Sequence, residues 1–158
     1  MRTWVDASTL IALDAVGEVA VLRDLLGHVA ITKRVAEEVF NGRESRILRE
    51  ARGTWIEVVE VKGDLKRWMA LGLGTGEASL FLTPQNDRLV LDEPPARTVA
   101  ESEGRGYVGL LGLLVAGVRT RSLPAARARD IVQRLTRSGF HIASHLYEAV
   151  MHDLREQE

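Results

Sequence analysis

Short apolar runs alternate with helix-compatible segments along almost the whole chain. Such runs occupy residues 3–6, 28–31 and 88–92, and each precedes a segment that can form a helix. This alternation is typical of a parallel sheet that is covered by helices on both faces. The sequence therefore predicts an α/β fold, a three-layer α/β/α sandwich with a central parallel sheet of four to five strands and a C-terminal helical extension.

Local signals predict where several helices begin. Ser8 or Thr9 can cap the first helix, and Thr75 can cap the helix after a glycine-rich turn. Late in the sheet, we expect a short strand at residues 106–110 and a helix at residues 111–119.

The length of 158 residues and the 46% hydrophobic content fit a single domain. We expect one domain over residues 1–158, with a core at about 1–120 and C-terminal helices at about 124–155. The start lacks a signal-peptide pattern, no apolar run reaches the ~20 residues of a membrane span, and cysteine is absent. These features predict a cytoplasmic protein without membrane attachment.

The net charge of −1 argues against strong nonspecific binding of nucleic acid, which needs a clear positive excess. Among the 21 basic residues, 18 are arginine. Arginine suits phosphate binding, but a base-composition bias in the coding sequence explains the excess equally well.

Two aspartates follow the apolar runs at the points where these predicted strands end. Asp6 follows Trp4-Val5, and Asp92 follows Leu91. Each could simply cap the next helix. Because the carboxyl ends of parallel strands meet at one edge of a sheet, the two together favour a shared site.

Two glutamates near the ends of helix-like segments could join this site. Glu38 borders the apolar stripe that contains Val35 and Val39, whereas Glu37 points toward solvent. Glu77 lies in a first helical turn, where the helix dipole stabilises a negative charge. The alternative explanations are that Glu37 and Glu38 are an ordinary solvated pair of glutamates and that Glu77 only compensates the helix dipole. Several carboxylates in one pocket repel one another unless a cation joins them, which indicates a hard divalent metal.

The order and spacing of these segments resemble the PIN-domain family, and within it the VapC-type toxin ribonucleases. The resemblance covers essentially the whole chain, although no single motif is specific. The matching segments are Val5-Asp6-Ala7-Ser8-Thr9-Leu10-Ile11, Val35-Ala36-Glu37-Glu38-Val39, Gly74-Thr75-Gly76-Glu77-Ala78, Leu89-Val90-Leu91-Asp92 and Ala96-Arg97.

The resemblance implies a set of catalytic acids that bind one or two Mg²⁺ or Mn²⁺ ions: Asp6, Glu38, Glu77 and Asp92. It also implies supporting roles for three further residues, namely Ser8 beside the first aspartate, Glu93 as a substitute ligand, and Arg97 as either a phosphate contact or an ion-pair partner.

The function so implied is that of a metal-dependent endoribonuclease that hydrolyses RNA phosphodiester bonds, with a toxin role, a cognate antitoxin protein and a homodimer as further implications. One departure concerns Leu110, which stands where relatives often have a hydroxyl residue after a late-strand glycine. The alternative is therefore a weak or inactive PIN-fold module that binds RNA or protein.

Two other phosphate-handling classes fit less well. A haloacid-dehalogenase-like phosphatase would need an aspartate where Ser8 stands, and a receiver-like domain would need a lysine after Lys66. The histidines show no paired metal spacing, and the three tryptophans are scattered, which indicates core positions rather than a stacking surface.

Overall fold

A five-stranded parallel sheet forms the centre of the protein in the computed structural model, which describes residues 1–156. The strands are β1 (Thr3–Val5), β2 (Val29–Thr32), β3 (Ile56–Val59), β4 (Arg88–Val90) and β5 (Tyr107–Val108). Their order across the sheet is β3-β2-β1-β4-β5. The chain therefore adds strands on one side of β1 and then returns to continue on the other side.

Helices connect and follow the strands, as the alternation predicts. They are α1 (Ala7–Ala15), α2 (Ala20–Leu26), α3 (Lys33–Phe40), α4 (Arg46–Arg52), α5 (Lys66–Met69), α6 (Thr75–Leu80), α7 (Pro94–Ser102), α8 (Leu110–Arg119), α9 (Ala125–Arg137) and α10 (Ser144–Glu156). The predicted α/β sandwich with four to five parallel strands is confirmed.

Three predicted boundaries were wrong. The cap of α1 is Asp6 rather than Ser8 or Thr9, since the Asp6 side chain accepts a hydrogen bond from the Thr9 backbone N–H. Gly74 occupies the N-cap of α6, and Thr75 is already the first helical residue. Leu110 begins α8 instead of ending the last strand.

The core lies between the sheet and its helices, and branched residues dominate it. Val5, Ile31 and Leu89 are completely buried on three different strands. As predicted, the tryptophans belong to the core: Trp4 is 1% exposed, and Trp68 stacks on Phe81 with ring centroids 5.2 Å apart.

The C-terminal helices pack on the rest of the protein through buried apolar side chains and salt bridges. Val150, Met151 and Leu154 of α10 are buried, whereas Leu146 on the same helix is exposed. Glu18 receives hydrogen bonds from arginines of α9 and so ties this helix to the α1–α2 connection. Within residues 1–156, no helix is long and apolar enough to cross a membrane.

Candidate active site

Asp6 lies at the carboxyl end of the central strand, beside the point where the chain changes direction across the sheet. In open α/β sheets, ligands bind at such a switch point. Its side chain is 2% exposed. Oδ1 accepts a hydrogen bond from the Thr9 backbone N–H at 2.9 Å, while Oδ2 accepts from the Asp92 backbone N–H at 2.9 Å and from Ser8 Oγ at 3.1 Å. The polypeptide thus fixes this carboxylate before any ligand is present.

Parallel pairing brings Asp92 next to Asp6. Val5 is paired with Val90 in the sheet, so the residues that follow these two strands leave at the same edge. The Thr9 hydroxyl contacts Asp6 Oδ1 and also Asp92 Oδ2. A hydroxyl carries one proton and can donate to only one of two carboxylates at a time. Thr9 therefore couples the two aspartates, a role that its sequence context did not predict.

The remaining oxygen of Asp92 is held from the other side. Its Oδ1 accepts a hydrogen bond from the Leu110 backbone N–H at 3.0 Å and from Arg97 Nη2 at 3.4 Å. Since the donor is the backbone N–H at the start of α8, the absence of a hydroxyl side chain at position 110 does not leave Asp92 without a donor on this side.

Arg97 reaches Asp92 because position 109 is glycine. Arg97 Nε also donates to the Leu91 carbonyl at 2.8 Å, and its guanidinium lies 5.7 Å from the centre of the Tyr107 ring. A Cβ added to Gly109 would lie 1.8 Å from Arg97 Nη2. The geometry supports an ion-pair partner; the phosphate-contact role stays a prediction.

Glu38 and Glu77 come together where α3 packs against α6. A Cβ on Gly76 would lie 2.8 Å from Glu38 Oε2, so the glycine provides the space that the Glu38 carboxylate occupies. Glu77 Oε1 accepts a hydrogen bond from the Gly74 backbone N–H at 3.3 Å. Its Oε2 is buried and has no hydrogen-bond partner. A buried carboxylate oxygen without a partner is costly, so Glu77 Oε2 is a candidate ligand atom for a cation.

One cavity of about 270 Å³ collects most of these acids. We call it the acidic cavity; it is lined by Asp6, Ala7, Ser8, Glu38, Gly74, Glu77 and Glu93. Asp92 lies outside this lining, although it shares Thr9 with Asp6 and lines a neighbouring cavity together with Glu38. Three of the four predicted acids thus share one cavity, and the fourth is joined to it through a hydroxyl.

The electrostatics of the acidic cavity favour protons or a cation. Burial raises the pKa of Asp6 from its ordinary value of 3.8 to about 6, with the nearby charge of Asp92 acting in the same direction and the Thr9 hydroxyl acting against both. Burial also raises the pKa of Glu77, and the charges of Glu93 and Glu38 add to this effect. Anything that neutralises these carboxylates will stabilise the folded protein.

The donor set fits a hard divalent cation in its chemistry. Carboxylate oxygens are the ligands that Mg²⁺ and Mn²⁺ prefer, and the buried Glu77 Oε2 has a free position for one. Within residues 1–156, however, no three His, Asp or Glu side chains are already grouped closely enough to hold an ion together. Glu38 and Glu93 are exposed and rotatable, whereas Asp6 is fixed. Occupancy would therefore require the glutamates to move toward Asp6.

A second cavity, of about 590 Å³, adjoins the acidic cavity and shares Ser8, Glu38 and Glu93 with it. Its far wall comes from the connection between α9 and α10, which contributes Phe140 and His141. These two residues were not predicted as site residues. Their sequence carries no motif, and only the folding of the C-terminal helices back toward the sheet brings them to this edge.

Comparison with known proteins supports the sequence resemblance. A family model described as a PIN domain matches residues 3–156. No match was found among curated proteins or among solved structures. The match includes the sheet, the acidic cavity and both C-terminal helices, and a nuclease-like fold is what the family implies. The chain therefore belongs to the PIN-domain family.

Proposed function

We propose that this protein is a metal-dependent endoribonuclease that hydrolyses RNA phosphodiester bonds with Mg²⁺ or Mn²⁺. The observation that carries the proposal is the convergence of Asp6, Glu38 and Glu77 on one cavity, where an oxygen of Glu77 is buried without a partner. Asp92 completes the proposed set through its contact with Thr9.

The roles of the individual residues follow from their placement. Asp6 offers a fixed anchor, while Glu38, Glu77 and Glu93 offer oxygens from the surrounding walls. One or two bound ions would activate a water molecule for attack and neutralise charge on the leaving oxygen. Ser8 and Thr9 orient the aspartates, and Arg97 forms an ion pair with Asp92 at the edge of the sheet. No histidine base is required for this chemistry.

The test uses purified protein with labelled single-stranded RNA in the presence of Mn²⁺, Mg²⁺ or EDTA. We expect cleavage with either metal and none with EDTA. Glu38→Gln should abolish cleavage, whereas Glu37→Gln should leave it intact, because Glu37 is exposed on the same helix and does not line the acidic cavity. Equal rates for the two variants, or cleavage in EDTA, would refute the assignment.

A second candidate function is a PIN-fold module that binds RNA or protein without cutting it. Two observations favour it. Asp92 already receives hydrogen bonds at both oxygens, and no three acidic or histidine side chains within residues 1–156 are arranged as a finished metal site. Tight binding of intact RNA in saturating Mn²⁺ would support this alternative.

A toxin role rests on the resemblance to VapC-type proteins. In that setting the protein would act in the cytoplasm as a homodimer, and a small antitoxin protein would cover the acidic cavity. Expression of the wild type should then arrest growth, and Glu38→Gln should relieve the arrest. Unimpaired growth on expression of active wild type would remove the toxin role and leave the nuclease in place.

A further inference from the structure

The connection between α9 and α10 forms one wall of two large cavities that meet at Asp92. The cavity of about 590 Å³, which we call the slot, lies on the side of the acidic cavity. The other, of about 480 Å³, contains Arg97 and Arg119, and we call it the arginine cavity. Asp92, Phe140 and His141 line both. The two cavities therefore adjoin at these three residues, beside the candidate active site.

A helix-ending motif holds Phe140 where the two cavities adjoin. Gly139 has a φ of 98°, and its N–H donates to the Thr136 carbonyl at 3.3 Å, while the Phe140 N–H donates to the Leu135 carbonyl at 3.0 Å. This pair of bonds is the Schellman arrangement, which requires a residue with positive φ. The Phe140 ring is half-buried and packs on the core, so its position is set before any ligand arrives.

We infer that the slot receives an unpaired nucleobase of the RNA substrate, stacked on Phe140, and that the strand continues past Asp92 into the arginine cavity. The inference rests on the proposed nuclease function and extends it by assigning a base-binding position to Phe140, in the connection between α9 and α10.

The chemistry of the walls selects a base rather than a phosphate for the slot. Asp92, Glu93 and Glu38 face it, and these carboxylates repel a phosphate but accept hydrogen bonds from the amino groups of bases. Ile11, Ala12 and Ala15 of α1 contribute apolar lining to the same cavity. Aromatic rings bind unpaired bases by stacking, whereas bases inside a duplex are already stacked and paired.

The arginine cavity suits the neighbouring phosphates. Arg97 and Arg119 are 37% and 59% exposed at their side chains, although each also pairs with an aspartate. Guanidinium groups bind phosphate oxygens through parallel hydrogen bonds. Base and phosphate subsites that both border Asp92 would direct a backbone linkage toward the acidic edge.

The test measures fluorescence of 2-aminopurine placed at successive positions of a short single-stranded oligoribonucleotide, titrated with the full-length protein in Mn²⁺. We expect quenching at one position. In Phe140→Leu the affinity should fall about fivefold or more, as expected for loss of one stacking contact. Phe140→Tyr should restore it. Phe40→Leu is the matched control, because Phe40 is also half-buried but lines none of the three cavities.

The outcomes separate this inference from the proposed function. Quenching that depends on Phe140, without cleavage, would support the slot and refute the nuclease. Cleavage with equal affinity for wild type and Phe140→Leu would overturn the slot and leave the nuclease. Equal quenching in a duplex of the same sequence, or Phe140-dependent self-association with no effect on oligonucleotide binding, would also overturn the slot, the latter in favour of a protein interface.

Discussion

Replacing Asp6 by asparagine separates the charge of the acidic cavity from its shape. In the folded protein the pKa of Asp6 is about 6, against 3.8 for an ordinary aspartate. The folded state therefore binds more protons than the unfolded state between these pH values, so stability must fall as pH rises through this window. The difference between these two pKa values means that keeping Asp6 ionised costs the folded state about 3 kcal/mol relative to the unfolded state at neutral pH.

The magnitude is measurable. For one group with these two pKa values, the metal-free protein should be about 1.3 kcal/mol more stable at about pH 5 than at about pH 7. Asp6→Asn removes this contribution. It also turns an amide nitrogen toward a backbone N–H of Thr9 or Asp92, which costs about 1–3 kcal/mol and offsets the gain from removing the charge. The variant should therefore fold with a stability close to that of the wild type.

The assay is urea unfolding in EDTA at the two pH values, for wild type and Asp6→Asn. Subtracting the pH dependence of the unfolding free energy of Asp6→Asn from that of the wild type cancels the contributions of carboxylates that titrate equally in both proteins. Mn²⁺ at ~100 times its Kd should then add about 2.7 kcal/mol to the wild type at about pH 7, and less at about pH 5, where protons compete for Asp6. Identical pH slopes in the two metal-free proteins would refute the account of Asp6 as a buried, destabilised carboxylate.

Three further predictions test other parts of the site. Thr9→Val keeps the backbone N–H that donates to Asp6 but removes the hydroxyl between the two aspartates. We expect weaker Mn²⁺ binding by calorimetry and restored binding in Thr9→Ser. Equal affinities of wild type and Thr9→Val would contradict the coupling of Asp6 and Asp92 through Thr9. Gly109→Ala should lower the free energy of unfolding by about 1–3 kcal/mol because its Cβ displaces Arg97, and the loss should shrink in an Arg97→Ala background. Glu77→Gln removes a carboxylate with a raised pKa, so it should raise the melting temperature in EDTA. It should also reduce the increase in melting temperature that Mn²⁺ causes. A lower melting temperature in EDTA would contradict this prediction.

The sequence predicted the sheet and the edge at which the acids meet, because both depend on local patterns. Branched residues before Asp6 and Asp92 mark two buried strands, and parallel strands end at the same edge. The pairing of β1 with β4 was not readable from the sequence, since it depends on the return of the chain across the sheet. The convergence of Glu38 and Glu77 likewise needed the packing of α3 on α6, where Gly76 makes room.

The parts that sequence reasoning missed are side-chain contacts over long separations. Thr9 was considered only as a helix cap, whereas its hydroxyl reaches Asp92, 83 positions away in the chain. Leu110 was judged by its side chain, but its backbone N–H makes the contact. A pattern of residue types indicates which groups can donate or accept hydrogen bonds. It does not indicate which backbone groups a helix start leaves free.

In the proposed nuclease, the acidic cavity would bind the metal and the slot would bind a base, and the two are built from different kinds of structure. Asp6 is fixed by hydrogen bonds from three residues, which makes it a rigid reference point, whereas the exposed Glu38 and Glu93 can adjust to a ligand. Phe140 lies at a separate helix end, distant in sequence from the acids of the acidic cavity. Metal affinity and substrate selection can therefore change independently: a change at Glu77, which lines the acidic cavity but not the slot, should alter the metal response without affecting base stacking, and a change at Phe140 should do the reverse.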